Sequence, residues 1–170
     1  MVKRTLILAL FASVAIMSAH GSRSQEAGDQ AALIKALGGA KVTLQQGLTA
    51  SQREGRPTSG KFEMEDGKLQ LSIYTTKADK YFEVIVDYGT GKISKVEPIT
   101  QGEDLDHAKS QTAAMTKAKT ALKTAVDKAV KQAPGSRAVS VTPDLKDGHP
   151  AASIQLLKGG QLQTVMEQLD

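Results

Sequence analysis

The chain has 170 residues and a formal net charge of +4, with no Cys, Trp or Asn and only six aromatic side chains, three Phe and three Tyr. These absences exclude a disulfide framework, a thiol nucleophile, a Cys-containing zinc site, a Cys-borne lipid anchor and an N-glycosylation sequon. Three His residues (His20, His107, His149) leave little for metal chemistry.

Lys3 and Arg4 precede an uncharged apolar run from Thr5 to Ala19. Ala19 and Gly21 then sit at −3 and −1 of a cleavage after Gly21, the pattern of a secretory signal peptide. Ser13-Val14-Ala15 offers an earlier cut after Ala15. The apolar run, at ~1.5 Å per residue, reaches about 22 Å and falls short of the ~30 Å hydrocarbon core. Residues 1–21 therefore read as a cleaved signal peptide, which places the protein in the periplasm or outside the cell, with no stable membrane insertion after cleavage. Losing Lys3 and Arg4 leaves a net charge of +2. That is too near neutral to argue for nucleic acid as a partner.

Residues 22–29 are small and polar and read as a tether. Asp29 can N-cap a short helix, Gln30 to Leu37, which Gly38-Gly39 stops. Thr43-Leu44-Gln45-Gln46 has the form of a capping box and opens a second helix ended by Gly55 and Pro57. Four strands follow. Phe62 and Met64 share one side of Lys61–Glu65, and Asp66-Gly67 predicts a type I′ hairpin turn. Leu69, Leu71 and Ile73 alternate with Gln70, Ser72 and Tyr74, and after a Lys77–Lys80 loop Phe82, Val84 and Val86 alternate with Tyr81, Glu83 and Asp87. Gly89-Thr90-Gly91 turns the chain into a last short strand, Lys92–Glu97. Period-2 alternation with polar partners predicts an antiparallel sheet with one buried face.

From Asp104 to Ala133 the period becomes helical. Met115, Ala118, Leu122, Ala125, Ala129 and Ala133 form the stripe of one long amphipathic helix, stopped by Pro134-Gly135. Strands resume at Ala138–Thr142 and Ala151–Leu157, and a Gly159-Gly160 turn leads into Leu162–Leu169.

Helix-then-sheet thus occurs twice. Sliding the sequence along itself until Asp66 meets Asp147 also brings Gly67, Ser72, Ile73, Lys77 and Val84 onto Gly148, Ser153, Ile154, Lys158 and Val165, without a gap. The expected fold is α+β, two repeats of a helix packed on a small antiparallel sheet, over 30–100 and 104–170. The second copy is divergent and lacks a last strand. In it, Gln163 and Glu167 would fall on the inward face that Phe82 and Val86 occupy in the first. All five aromatics beyond the signal segment belong to the first copy, so 104–170 is expected to depend on docking to the first half.

The Glu65-Asp66-Gly67 hairpin and the stretch from Tyr81 to Ile93, a strand ending in Val86-Asp87 followed by Thr90-Gly91-Lys92 and an aliphatic residue, resemble the PepSY domain. The resemblance covers residues 30–98 well and 104–170 more weakly, because the second copy ends at Leu169-Asp170, where the Thr-Gly-Lys would follow. It implies an extracytoplasmic, non-catalytic unit, a helix on an antiparallel sheet, that binds or inhibits peptidases. It carries no family-wide catalytic residues. Asp66, Gly67, Asp87, Thr90, Gly91, Asp147 and Gly148 are read as turn formers.

Other motifs have plainer accounts. Gly55–Lys61 matches a phosphate loop up to its last position, where Phe62 replaces the magnesium-holding hydroxyl and a strand follows instead of a helix. Glu63, Glu65 and Asp66 suit a solvated strand face and its turn, and no segment has the spacing of a calcium loop. No catalytic residue, metal or cofactor is expected. Two surfaces remain as candidates for a partner. One is the face carrying Tyr74 beside Tyr81, with Ile85 on the same strand. The other is the lysine-rich helix with Lys117, Lys119 and Lys123, where six lysines between 109 and 131 oppose Asp127 alone. The expected function is protein binding by an exported, non-enzymatic protein that restrains an envelope peptidase. The alternative is a periplasmic module binding a ligand or an envelope polymer.

Overall fold

The computed structural model describes residues 22–170. The signal peptide expected over 1–21 lies outside the described residues. Four helices, α1 (Ser22–Leu37), α2 (Leu44–Ser51), α3 (Gly102–Lys117) and α4 (Leu122–Gln132), accompany seven strands. These are β1 (Arg56–Glu65), β2 (Lys68–Lys77), β3 (Lys80–Val86), β4 (Ile93–Ile99), β5 (Arg137–Lys146), β6 (His149–Lys158) and β7 (Gln161–Gln168). The fold is α+β, and every strand pair is antiparallel.

The strands form one sheet in the order β4-β3-β2-β1-β5-β6-β7. The expectation of separate small sheets is corrected by the pairing of β1 with β5, through Gly60 with Val141 and Lys61 with Ser140. Neither strand could remain a free edge cheaply, because Val139 and Val141 are buried and so is Phe62.

Alternation assigns the faces. Phe62, Leu71, Ile73, Val84, Val141, Ile154 and Leu156 belong to a continuous apolar core with Leu44, Leu48, Leu122 and Val126 of the helices. The capping box forms as read: Thr43 Oγ1 accepts from the Gln46 amide at 3.2 Å, and Gln46 Oε1 accepts from the Thr43 amide at 2.8 Å. It starts α2 so that Leu44 and Leu48 point at the sheet. Close approach is possible because Gly47 and Gly60 face the same contact. A Cβ on Gly47 would lie 2.8 Å from Leu71 Cδ2, and one on Gly60 would lie 2.7 Å from Ile73 Cδ1. The helix α3 lies against the other side of the sheet, where Ser59 Oγ donates to Gln111 Oε1 at 2.6 Å.

Three expectations change. Residues 22–29, read as a tether, belong to α1, and Asp29 lies inside that helix instead of capping it. The Gly55–Lys61 segment, read as a loop, is mostly strand, since β1 begins at Arg56 and tolerates Pro57 beside a register irregularity. The long helix over 104–133 is broken at Ala118–Ala121. There the Lys119 and Thr120 amides both donate to the Leu169 carbonyl, at 2.8 and 2.9 Å, so the end of the last strand replaces two helical hydrogen bonds.

The hairpin turns follow from backbone chemistry. Asp66-Gly67 and Asp147-Gly148 both hold positive φ, at 48° and 73° and at 53° and 83°, as a type I′ turn requires. Ala78-Asp79 adopts the same conformation, at 49° and 58°, with no glycine to ease it. An L-residue with a Cβ costs about 1–2 kcal/mol there. Ala78→Gly is therefore expected to stabilise the protein by about 0.5–1 kcal/mol after glycine's greater chain entropy is subtracted. The check is a higher urea midpoint at unchanged m-value.

Candidate interaction surface

Tyr74, Tyr81 and Ile85 share one face of β2 and β3, but the register separates the tyrosines. Tyr74 opposes Glu83, and Tyr81 opposes Thr76 on one side and Ile99 on the other, so the two rings are diagonal neighbours. All three residues are half-buried. Tyr74 lies within the field of Asp104 in the first turn of α3, and its ring centroid is 5.8 Å from Lys61 Nζ. Burial, followed by the nearby Glu83 and Glu63 carboxylates, pushes the Tyr74 hydroxyl far above its ordinary range. It stays protonated at any working pH. Burial also raises the Glu83 carboxyl, against a hydrogen bond from Ser72 that lowers it. This face is a polar layer partly covered by α3, with Lys61 paired to Glu63 at 2.6 Å and Lys95 to Glu97 at 2.9 Å.

The lysines do not form one continuous helical face, because the break at 118–121 divides them between α3 and α4. Lys117 Nζ donates to the Gly148 carbonyl at 3.4 Å, Lys123 pairs with Asp127 at 2.6 Å, and Lys128 pairs with Glu167 at 2.5 Å. Lys119 sits in the link, its backbone amide tied to Leu169. A shallow groove between α2 and α4, of about 460 Å³, is lined by Thr43, Gln46, Thr49, Lys123 and Asp127 among others. Its lysine is therefore already matched by a carboxylate.

Asp87 works as the turn former read from its sequence. Its Oδ1 accepts from the Gly89 amide (3.1 Å), the Thr90 amide (2.7 Å) and Thr90 Oγ1 (2.7 Å). These bonds, led by the Thr90 hydroxyl, hold its carboxyl below the usual range. Gly91 follows at φ 76° and completes the bend, its amide donating a hydrogen bond to the Asp87 carbonyl at 2.8 Å. His149 Nδ1 lies 3.3 Å from Asp170 Oδ2. Among the described residues no group of three His, Cys, Asp or Glu side chains could hold a metal.

The two edges of the sheet differ. The outer edge is β4 on one side, and it carries Lys95, Glu97 and Pro98. Ladder alternation puts Pro98 at a position facing away from β3, so this edge lacks a donor there. On the other side the edge is β7, Gln161-Leu162-Gln163-Thr164-Val165-Met166-Glu167-Gln168, with no Lys, Arg or Pro. Gly159-Gly160 closes its hairpin with β6 as a two-residue loop, both at positive φ, between Lys158 and Gln161. The hydrogen-bonded pairs to β6 therefore fall at Gln161, Gln163, Val165 and Glu167. The N–H and C=O groups of Leu162, Thr164, Met166 and Gln168 point outward. Met166 is 43% exposed, one of two large apolar side chains on the surface among the described residues.

Glu167, at the inward position anticipated for it, is only 5% exposed. It opposes Ala152 and reaches Lys128 of α4, which explains how a carboxylate occupies a core-facing site. Comparison with protein-family models, curated proteins and solved structures finds no match to this chain.

Proposed function

We propose that this is an exported, non-enzymatic protein built of two PepSY-like repeats, and that it acts by binding another protein and restraining an envelope peptidase. The repeat reading is supported by element spacing. The shift that carries Asp66 onto Asp147 also carries both ends of β1 and of β2 onto the ends of β5 and of β6. It carries Lys80, the start of β3, onto Gln161, the start of β7. In each half the link between two helices crosses to a residue just beyond a third strand: Lys41 and Val42 amides donate to the Tyr88 carbonyl, and Lys119 and Thr120 amides to that of Leu169.

The observation that carries the binding reading is the β7 edge. In the first half β4 lies outside β3, whereas β7 has no strand outside it among the described residues. An extended segment of a partner can add there, its backbone bonding to the outward groups and its alternate side chains supplying selectivity. The lysines favour an envelope polymer less, since Lys117, Lys123 and Lys128 already have acceptors.

The test is a photocrosslinker placed at Gln163 in the exported protein, with mass spectrometry of the products and a peptidase inhibition panel. A crosslinked peptidase that the purified protein also inhibits is the expected result. No crosslinked protein and no inhibition would overturn the reading. Salt-sensitive binding to an anionic polymer, lost with Lys119→Glu, would replace it with the ligand-binding alternative.

A further inference from the structure

We infer that in the absence of another partner the β7 edge is covered by β7 of a second copy of this chain, joining two seven-stranded sheets into one through a two-fold axis at Thr164. This rests on the reading of β7 as a docking edge and names its resting occupant.

Four observations carry it. The first is the contrast between edges. The opposite edge has the Pro and charged side chains that block strand addition, while β7 has neither Pro nor a basic residue.

The second is self-complementarity. With Thr164 opposite the second copy's Thr164, antiparallel pairing brings Leu162 against Met166, Gln163 against Val165 and Gln161 against Glu167. Leu162, Thr164 and Met166 all present outward backbone groups, so the Thr164–Thr164 pair and the two Leu162–Met166 pairs can each exchange both of their hydrogen bonds, while Gln163–Val165 and Gln161–Glu167 are the non-hydrogen-bonded pairs between and beyond them. No like charges meet. The single charge on the strand, Glu167, is already held by Lys128 of its own chain.

The third is that the exposed Met166 would gain an apolar cross-strand neighbour in Leu162. The fourth is a precedent inside the sheet. Its centre is an antiparallel pairing of two equivalent strands of the repeats, in which Gly60 meets its own counterpart, Val141. A two-fold contact of this kind closes on itself and gives a dimer, not a fibre. Any other partner that adds a strand must displace the second copy, so self-association sets a threshold for partner binding.

The test uses the purified protein in sedimentation velocity over a concentration series, with Thr164→Pro and Met166→Glu. Proline at 164 removes an outward donor and leaves the ladder to β6 intact, as Pro98 does on β4. Met166→Glu alters an exposed side chain and, in the dimer, sets a carboxylate against Leu162. A dimer at micromolar concentration that both variants weaken at least about tenfold, with their circular dichroism unchanged, is the expected result. A wild-type protein that stays monomeric to ~100 µM, or a dimer that neither variant weakens, overturns it. If the wild type is monomeric but Thr164→Pro abolishes the peptidase crosslink, the second copy is ruled out and the edge reading stands. If neither dimer nor crosslink responds, both are ruled out.

Discussion

Arg137→Met is expected to destabilise the protein by about 2–4 kcal/mol, a large fraction of the net stability of an ordinary domain. Arg137 opens β5, and its guanidinium crosses to the first half of the chain. There Nη1 donates to the carbonyls of Leu37 and Ala40 at 3.0 Å each, and Nη2 donates to that of Val42 at 2.7 Å. Leu37 ends α1, where a helix leaves acceptors short of intrahelical donors and carries partial negative charge, and Ala40 and Val42 lie in the link to α2, Val42 immediately before its N-cap Thr43. The guanidinium also lies 5.2 Å from the Phe62 ring centroid, and burial lowers its pKa from the ordinary value. Methionine keeps most of the volume and none of the donors, so three part-buried carbonyls lose the guanidinium at once, and that of Leu37 keeps the Ala40 amide at 3.2 Å. Arg137→Lys is expected to recover less than half of the loss, because a single ammonium cannot match a fork that reaches three acceptors. Chemical denaturation of the three proteins checks this. A change below about 1 kcal/mol in Arg137→Met would show that water satisfies the carbonyls equally well.

The second large effect concerns the halves. A fragment of residues 104–170 is expected not to fold alone. It would keep most of α3 together with α4 and β5–β7, but lose β1, the strand to which β5 bonds at the sheet centre. It would also lose Arg56, whose Nη2 donates to the Met115 carbonyl at the end of α3, and α2, which packs beside α4. Val139 and Val141, now buried, would lie on a new edge. A core of fewer than ~70–80 residues rarely supplies more than ~3–5 kcal/mol, and here the aromatic Phe62 is removed from it as well. Circular dichroism of the fragment should show little strand signal and no cooperative melt. A sharp thermal transition in the fragment alone would contradict the shared-core account.

Much of this fold is local chemistry and so was legible. Asp66-Gly67 and Asp147-Gly148 announce hairpins because Gly accepts the backbone a type I′ turn needs, and the Thr43–Gln46 box announces α2. What was not legible depends on residues distant in sequence. Between Ala118 and Ala121 only the β-branched Thr120 disfavours a helix, and mildly; the two amides are taken by the Leu169 carbonyl, from the far end of the chain. Ala78-Asp79 turns tightly with unfavourable residues because β2 and β3 pair firmly on either side. The union of two sheets at β1 and β5 has no local signal apart from Gly60, which pairs with Val141 and lies under Leu44 and Leu48. Alternation alone puts Tyr74, Tyr81 and Ile85 on a common face, but the cross-strand offset of the rings and the position of α3 come only with the tertiary structure.

The central claim is that β7 is a docking edge, and residue-resolved amide hydrogen exchange tests it most directly. In dilute protein the amides of Leu162, Thr164, Met166 and Gln168 are expected to exchange fast while those of Gln163, Val165 and Glu167 are protected by β6. At high concentration, or with a bound partner, the outward amides of the paired segment become protected too, Thr164 most strongly. Fast exchange at Leu162, Thr164 and Met166 under every condition would contradict it.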